Sequence, residues 1–140
     1  MARRIATHLA PGDTLLLIGE IGAGKTYFAR ELLSDILLVA EDVPSPTFTI
    51  VQTYDSKLGE VWHADLYRLE TSSDVIELGL LDAFGDAICL VEWPDRLGEQ
   101  APVSALSLAF LAGTHDDERN LILTWQTARW DNLSNEIGHD

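Results

Sequence analysis

The chain predicts an α/β domain with a mixed parallel/antiparallel sheet flanked by helices. Three observations carry this. Thr14–Ile18 (TLLLI) is a short apolar run followed by a glycine-rich stretch and a helical pattern, the strand–loop–helix order of a parallel α/β unit. Ala87–Val91 (AICLV) is apolar at every position, as a central strand buried on both faces must be. Two pairs of strand-like segments straddle polar turns, which makes hairpins and hence antiparallel strands.

The elements follow in order. Arg3–Leu9 reads as the end of a helix, closed by Pro11-Gly12. After the first strand, Tyr27–Leu38 (YFARELLSDILL) has helical apolar spacing. Glu41–Pro46 holds two prolines and reads as a loop. Phe48–Tyr54 alternates as a strand, Asp55–Gly59 turns, and Val61–Leu66 returns antiparallel. Thr71-Ser72-Ser73-Asp74 resembles a capping-box helix start. That helix carries Val75, Ile76 and Leu78 and ends near Gly79, with a second short helical stretch to Phe84. Ala105–Leu111 and Asn120–Gln126 flank the polar turn Gly113–Arg119 as a second hairpin. Residues 1–130 read as one domain, and 131–140 as a polar, frayed tail.

Composition narrows the class. At 140 residues and 46% hydrophobic, the chain is long enough to bury a real core. It contains no apolar run of transmembrane length. The basic start, Met1-Ala2-Arg3-Arg4, is followed by Thr7, His8, Pro11 and Asp13, which is not a signal-peptide core. The single cysteine, Cys89, lies inside AICLV and reads as a small buried hydrophobe, so no disulfide forms within one chain. These features point to the cytoplasm. The net charge of −14 argues against a broad grip on a nucleic-acid backbone. Any action on RNA is expected to go through a partner.

The chemistry-bearing motif is Gly19-Glu20-Ile21-Gly22-Ala23-Gly24-Lys25-Thr26, a G-x-x-x-x-G-K-[ST] P-loop or Walker A sequence. Gly22 and Gly24 admit positive φ and let the main chain approach a phosphate. The loop amides and the positive end of the following helix make an anion cradle. Lys25 is expected to reach the β- and γ-phosphates, and the Thr26 hydroxyl to ligate Mg²⁺. The fold class is thus a single P-loop NTPase-like domain.

Hydrolysis needs an acid beside the metal, at the end of a strand next to the P-loop strand. Ile88–Glu92 is an apolar run ending in a carboxylate, and Val61–Asp65 ends a strand with an aspartate. One acid would hold Mg²⁺ while the other orients or deprotonates the attacking water. A solvated acid at a strand end is the plain alternative for either. Ser45-Pro46-Thr47-Phe48 occupies the place of a γ-phosphate-sensing loop, against the plainer reading of a proline turn. No N-K-x-D stretch for guanine is present, which favours ATP. His63 and Asp65 share a strand face, although a packed or exposed histidine is the plainer reading of His63. Trp93 follows Glu92 and reads as a wall of the site. Arg68 is a candidate to pair with Asp65 or to stabilise phosphoryl charge.

In order, Gly22-Ala23-Gly24-Lys25-Thr26, Ser45-Pro46-Thr47-Phe48-Thr49, His63-Ala64-Asp65-Leu66-Tyr67-Arg68-Leu69, Glu77-Leu78-Gly79 and Ile88-Cys89-Leu90-Val91-Glu92-Trp93-Pro94 resemble the TsaE family. These are the small P-loop ATPases of bacterial tRNA threonylcarbamoyladenosine synthesis. The resemblance implies a Mg²⁺-dependent ATPase that acts with TsaB and TsaD, weak alone and stimulated by them. TsaD performs the threonylcarbamoyl transfer to an adenosine beside the anticodon, and ATP turnover by this subunit lets the complex turn over. The tRNA is met through the complex, and no membrane is involved. The resemblance further implies that Thr26 and Glu92 bind Mg²⁺, that Asp65 lies by the γ-phosphate to act on water, and that Lys25 and Glu92 complete the catalytic set. On the same resemblance Gly22, Ala23, Gly24, Lys25, Thr26, Tyr27 and Thr47 are expected to contact the nucleotide, and Arg119 extends the match. The chain departs from the family at Glu20, where Asp is common, and at Tyr27, where a small hydroxyl residue usually meets the α-phosphate. The family's adenine-side threonine precedes the matched region, and no residue here is assigned to it.

Two other functions compete. A small-molecule P-loop kinase needs an arginine-bearing lid, whereas the seven arginines here are scattered. A nucleotide-gated interaction module needs ATP binding but no hydrolysis.

Overall fold

The structure is a computed structural model. It describes residues 2–20, 24–39, 43, 46, 50–69, 74, 78–112, 119–131 and 133, with Arg3, Ala112, Arg119 and Asn120 described by backbone alone. The first helix, α1, is Ala2–Ala6, and β1 is Thr14–Ile18. Next come α2 (Lys25–Ile36), β2 (Val51–Ser56) and β3 (Gly59–Asp65). Then α3 spans Leu80–Asp86, β4 Ile88–Glu92, and a 3₁₀ segment Pro94–Gln100. Strands β5 (Leu106–Ala112) and β6 (Arg119–Thr124) precede a short 3₁₀ turn, Ala128–Trp130.

Six strands form one sheet in the order β2-β3-β4-β1-β5-β6. The four inner strands are mutually parallel, and the outer strands, β2 and β6, pair antiparallel with their neighbours. Both expected hairpins are therefore present, one at each edge. The first turns through Lys57-Leu58, and Gly59 follows at φ 121. Residues 113–118 of the second turn lie outside the described residues.

Strand alternation sorts the core into two layers. Leu15, Leu17, Ile88, Leu90, Leu106 and Leu108 face α1 and α2, while Leu16, Cys89 and Val91 face α3 and the 3₁₀ segment. Helix α2 buries Lys25, Phe28, Ala29, Leu32, Leu33 and Ile36, the spacing of one helical stripe. Phe28, Leu32, Leu33 and Ile36 each contribute roughly 1.5–3 kcal/mol on burial. All five positions of β4 are buried, as its uniform apolarity requires.

Several boundaries differ from expectation. Helix α2 begins at Lys25 rather than Tyr27, because Gly24 supplies the break at φ 104 and the first helical bond runs from Phe28 N–H to the Gly24 carbonyl at 2.9 Å. It ends at Ile36 rather than Leu38, because Leu37 turns extended and bridges to Ser56. Strand β2 begins at Val51; Phe48 and Thr49 lie outside the described residues. So do residues 71–73 and 75–77 of the expected capping-box helix, of which Asp74 is helical. Gly79, at φ 79, caps α3. Within 131–140, Leu133 is described and is 2% exposed in the core beneath α1 and α2. Among the described residues no helix is long and apolar enough to cross a membrane.

Candidate functional site

Parallel strands end on the same side of a sheet, and here three of them end together. Glu92 at the end of β4 is in register with Asp65 at the end of β3 and with Leu17 near the end of β1. The crevice beyond the carboxyl ends of such strands is where open α/β sheets bind ligands. The chain leaving β1 returns as α2, so the helix N-terminus is brought to these strand ends.

The side chains converge for a simple reason of parity. Glu92 shares its strand face with Ile88 and Leu90, and His63 shares its face with Val61; both faces look toward α2. Glu92, Asp65 and His63 are 2%, 5% and 0% exposed. Such burial of a carboxylate is tolerated only with hydrogen-bond donors around it. Glu92 has two. The Thr26 hydroxyl donates to Oε1 at 3.0 Å and lies 3.2 Å from Oε2. His63 Nε2 is 2.7 Å from Oε2. Asp65 is fixed by its own turn, its Oδ1 accepting the Tyr67 backbone N–H at 3.0 Å.

Lys25 is folded back over the same crevice. Its Nζ donates to the Gly19 carbonyl at 2.5 Å and stands 3.6 Å from the centroid of the Trp93 ring. Burial lowers its pKa, opposed by the negative charges of Glu92, Asp65 and Asp95. Trp93 in turn meets Tyr67 at a tilt of 51°, centroids 4.8 Å apart. The only non-glycine residues with positive φ among those described are Trp93 at 57° and Ile50 at 69°. Both adjoin the site: Trp93 follows Glu92, and the Ile50 carbonyl accepts the Asp65 N–H at 2.8 Å. Backbone strain of this kind is concentrated at functional sites.

The N-terminus of α2 offers hydrogen-bond donors at the same place. The amides of Lys25, Thr26 and Tyr27 precede the first helical bond, and Gly24 has no side chain to cap them. The donor set also suits Mg²⁺. Neighbouring oxygens on an octahedral Mg²⁺, bound at about 2.0–2.1 Å, lie about 3 Å apart; Thr26 Oγ1 and Glu92 Oε1 have that separation. Among the described residues no group of three or more His, Cys, Asp or Glu is disposed to hold a metal. Mg²⁺ is commonly bound by one or two side-chain oxygens, with phosphates and water supplying the rest.

The expected residues are distributed as follows. Lys25, Thr26, Asp65 and Glu92 are brought together, with Gly24 at the head of α2. Tyr27 is 66% exposed, and its hydroxyl is engaged by Glu31 one turn on, which raises its pKa. Arg119 begins the edge strand β6, opposite Ala112, with β5 between it and β1. Gly22, Ala23 and Thr47 lie outside the described residues. Arg68 is exposed. His63 is packed, as its plain reading had it, yet its partner is the site carboxylate. Its shared face with Asp65 was the available signal.

The chain is similar to known proteins in sequence and in fold. The family model described as "Threonylcarbamoyl adenosine biosynthesis protein TsaE" matches residues 1–121. The tRNA threonylcarbamoyladenosine biosynthesis protein TsaE of Bacillus subtilis is 37% identical over 142 residues, spanning 100% of this chain and 87% of that protein. The protein of the same name from Rickettsia felis is 38% identical over 95 residues, 68% of this chain and 56% of its own length. Among solved structures, Bacillus subtilis YdiB superposes with a TM-score of 0.79 at 33% identity, over 98% of this chain and 84% of that one.

Proposed function

This chain belongs to the TsaE family of threonylcarbamoyl adenosine biosynthesis proteins, and from that membership we propose that it is the ATP-binding, slowly hydrolysing accessory subunit of tRNA threonylcarbamoyladenosine biosynthesis. The observation that carries the reading is the Thr26–Glu92 pair: the hydroxyl that ends the P-loop motif donates to the carboxylate that ends β4. In an ATPase these are the two side-chain oxygens a Mg²⁺ takes. When bound, the ion neutralises charge on the β- and γ-phosphates.

The chain's own groups do the rest. The amides at the head of α2 receive phosphate oxygens. Lys25 exchanges the Gly19 carbonyl and the Trp93 ring for the β- and γ-phosphates. Asp65, the register partner of Glu92, orients a water and takes its proton as the water oxygen attacks the γ-phosphorus. The bond from that phosphorus to the ADP oxygen breaks. The partners are TsaB and TsaD, and the tRNA is reached through them, in keeping with a net charge of −14 on this chain. The setting is the cytoplasm.

The test is phosphate release from Mg-ATP by the chain alone and with purified TsaB and TsaD. Slow release that rises with the partners and disappears in Lys25→Ala supports the reading. A rate indifferent to the partners removes the accessory role.

A further inference from the structure

We propose that His63 is a positioning residue for Glu92, holding one carboxylate oxygen so that the other meets Thr26. The inference rests on the Mg-ATP reading of the site and adds a residue to it.

Core packing does not account for a histidine at this position. The side chain is 0% exposed, and its Nδ1 is buried with no hydrogen-bond partner among the described residues. A buried ring nitrogen without a partner costs free energy that an apolar residue of similar size would avoid. The one polar contact in return among the described residues is Nε2 to Glu92 Oε2 at 2.7 Å. The tautomer protonated on Nε2 makes that contact as donor and leaves Nδ1 as a bare lone pair.

Sheet register makes the contact directional. His63 pairs with Leu90, two residues before Glu92 on the neighbouring parallel strand. The imidazole therefore reaches the carboxylate from the core side, while Thr26 reaches it from the head of α2. His63 takes Oε2, and Thr26 makes its shorter contact with Oε1. Two donors from different directions fix the carboxylate plane. Outer partners that orient a ligating carboxylate typically contribute about 10- to 100-fold to metal affinity or activity.

The experiment measures affinity for a fluorescent ATP analogue over a range of Mg²⁺ concentrations, with thermal unfolding alongside. It compares wild type, His63→Leu and His63→Gln. Gln places an amide nitrogen the same number of bonds from Cα as Nε2, so it retains a donor. The expected result is that His63→Leu binds the analogue like wild type without Mg²⁺ but needs roughly 10-fold more Mg²⁺ for the half-maximal gain in affinity. His63→Gln returns the midpoint most of the way to wild type.

An unchanged Mg²⁺ midpoint in folded His63→Leu overturns the inference. So does an equal loss of affinity with and without Mg²⁺, or a Gln variant as impaired as Leu. If the Leu variant does not fold, the Gln variant decides: a near-wild-type midpoint supports the inference, and a 10-fold shift overturns it. A wild-type chain whose nucleotide affinity ignores Mg²⁺ overturns the Mg-ATP reading itself, and this inference with it.

Discussion

The Lys25 ammonium lies 3.6 Å from the centroid of the Trp93 ring while donating to the Gly19 carbonyl at 2.5 Å. A cation–π contact is worth roughly 0.5–2 kcal/mol, more as water is excluded. The charge is thus held inside the site by two neutral partners that a phosphate can replace. The lysine is 4% exposed, and desolvation outweighs the attraction of the nearby carboxylates, so its pKa is lowered.

The sign of that shift gives the first prediction. A lysine whose folded-state pKa lies below its unfolded value of 10.5 binds fewer protons folded than unfolded between those two values. Stability therefore rises with pH across that window, and below it the burial cost is fully present. Lys25→Met removes this cost and keeps the stem's packing. Its unfolding free energy in the absence of nucleotide is expected to equal or exceed wild type's, while ATP binding is lost. Urea unfolding and nucleotide titration check the two halves. In wild type, ATP binding should weaken as alkaline pH removes the ammonium.

A substitution at Asp65 is expected to separate binding from hydrolysis. Its Oδ1 accepts the Tyr67 N–H, a role the side-chain oxygen of Asn retains. Asp65→Asn is expected to fold and bind ATP but to release phosphate about 10²- to 10⁴-fold more slowly. Parallel binding and phosphate-release assays measure this. If the variant still supports repeated tRNA modification, binding alone suffices and the gating alternative is favoured.

Cys89 is a chemical probe of the core. It is 0% exposed on β4, and burial pushes its thiol pKa up to about 12. Since the thiolate is the nucleophile, a thiol reagent at mildly alkaline pH should leave the folded chain unmodified and label it on unfolding in denaturant. Rapid labelling of the native chain would show that β4 opens.

Trp130 anchors the C-terminal segment. It is 1% exposed, and its Nε1–H donates to the Ser104 carbonyl at 2.7 Å. Trp130→Ala is expected to cost about 3–5 kcal/mol, read as a lower urea midpoint. Because the residue belongs to the α1–α2 core and not to the crevice, the fraction still folded should keep its nucleotide affinity.

The carboxylates at the ends of β3 and β4 were legible because each closes a strand-like run, and a parallel sheet brings such ends together. The first turn of α2 was legible because Gly24, Lys25 and Thr26 have fixed offsets in a motif. His63 was legible only as far as its face. That it touches Glu92 depends on β3 lying next to β4 in one register, which no local pattern specifies. The Lys25–Trp93 contact was hidden for another reason: it accompanies a left-handed backbone at a tryptophan, against that residue's own preference. The early start of α2 is local, set by a glycine in a left-handed turn, whereas its early stop at Leu37 is tertiary, set by a bridge to Ser56.

Thr26 and Glu92 are 66 positions apart in the chain, and β1 lies between β4 and β5 in the finished sheet. Pairings of such long range come late, because loop closure is paid before contact rewards it. A chain emerging from synthesis exposes the P-loop sequence well before the acid it needs. On the proposed function, nucleotide capture waits on the final assembly of the sheet. A ligand taken up at the assembled site would weight that assembly against unfolding.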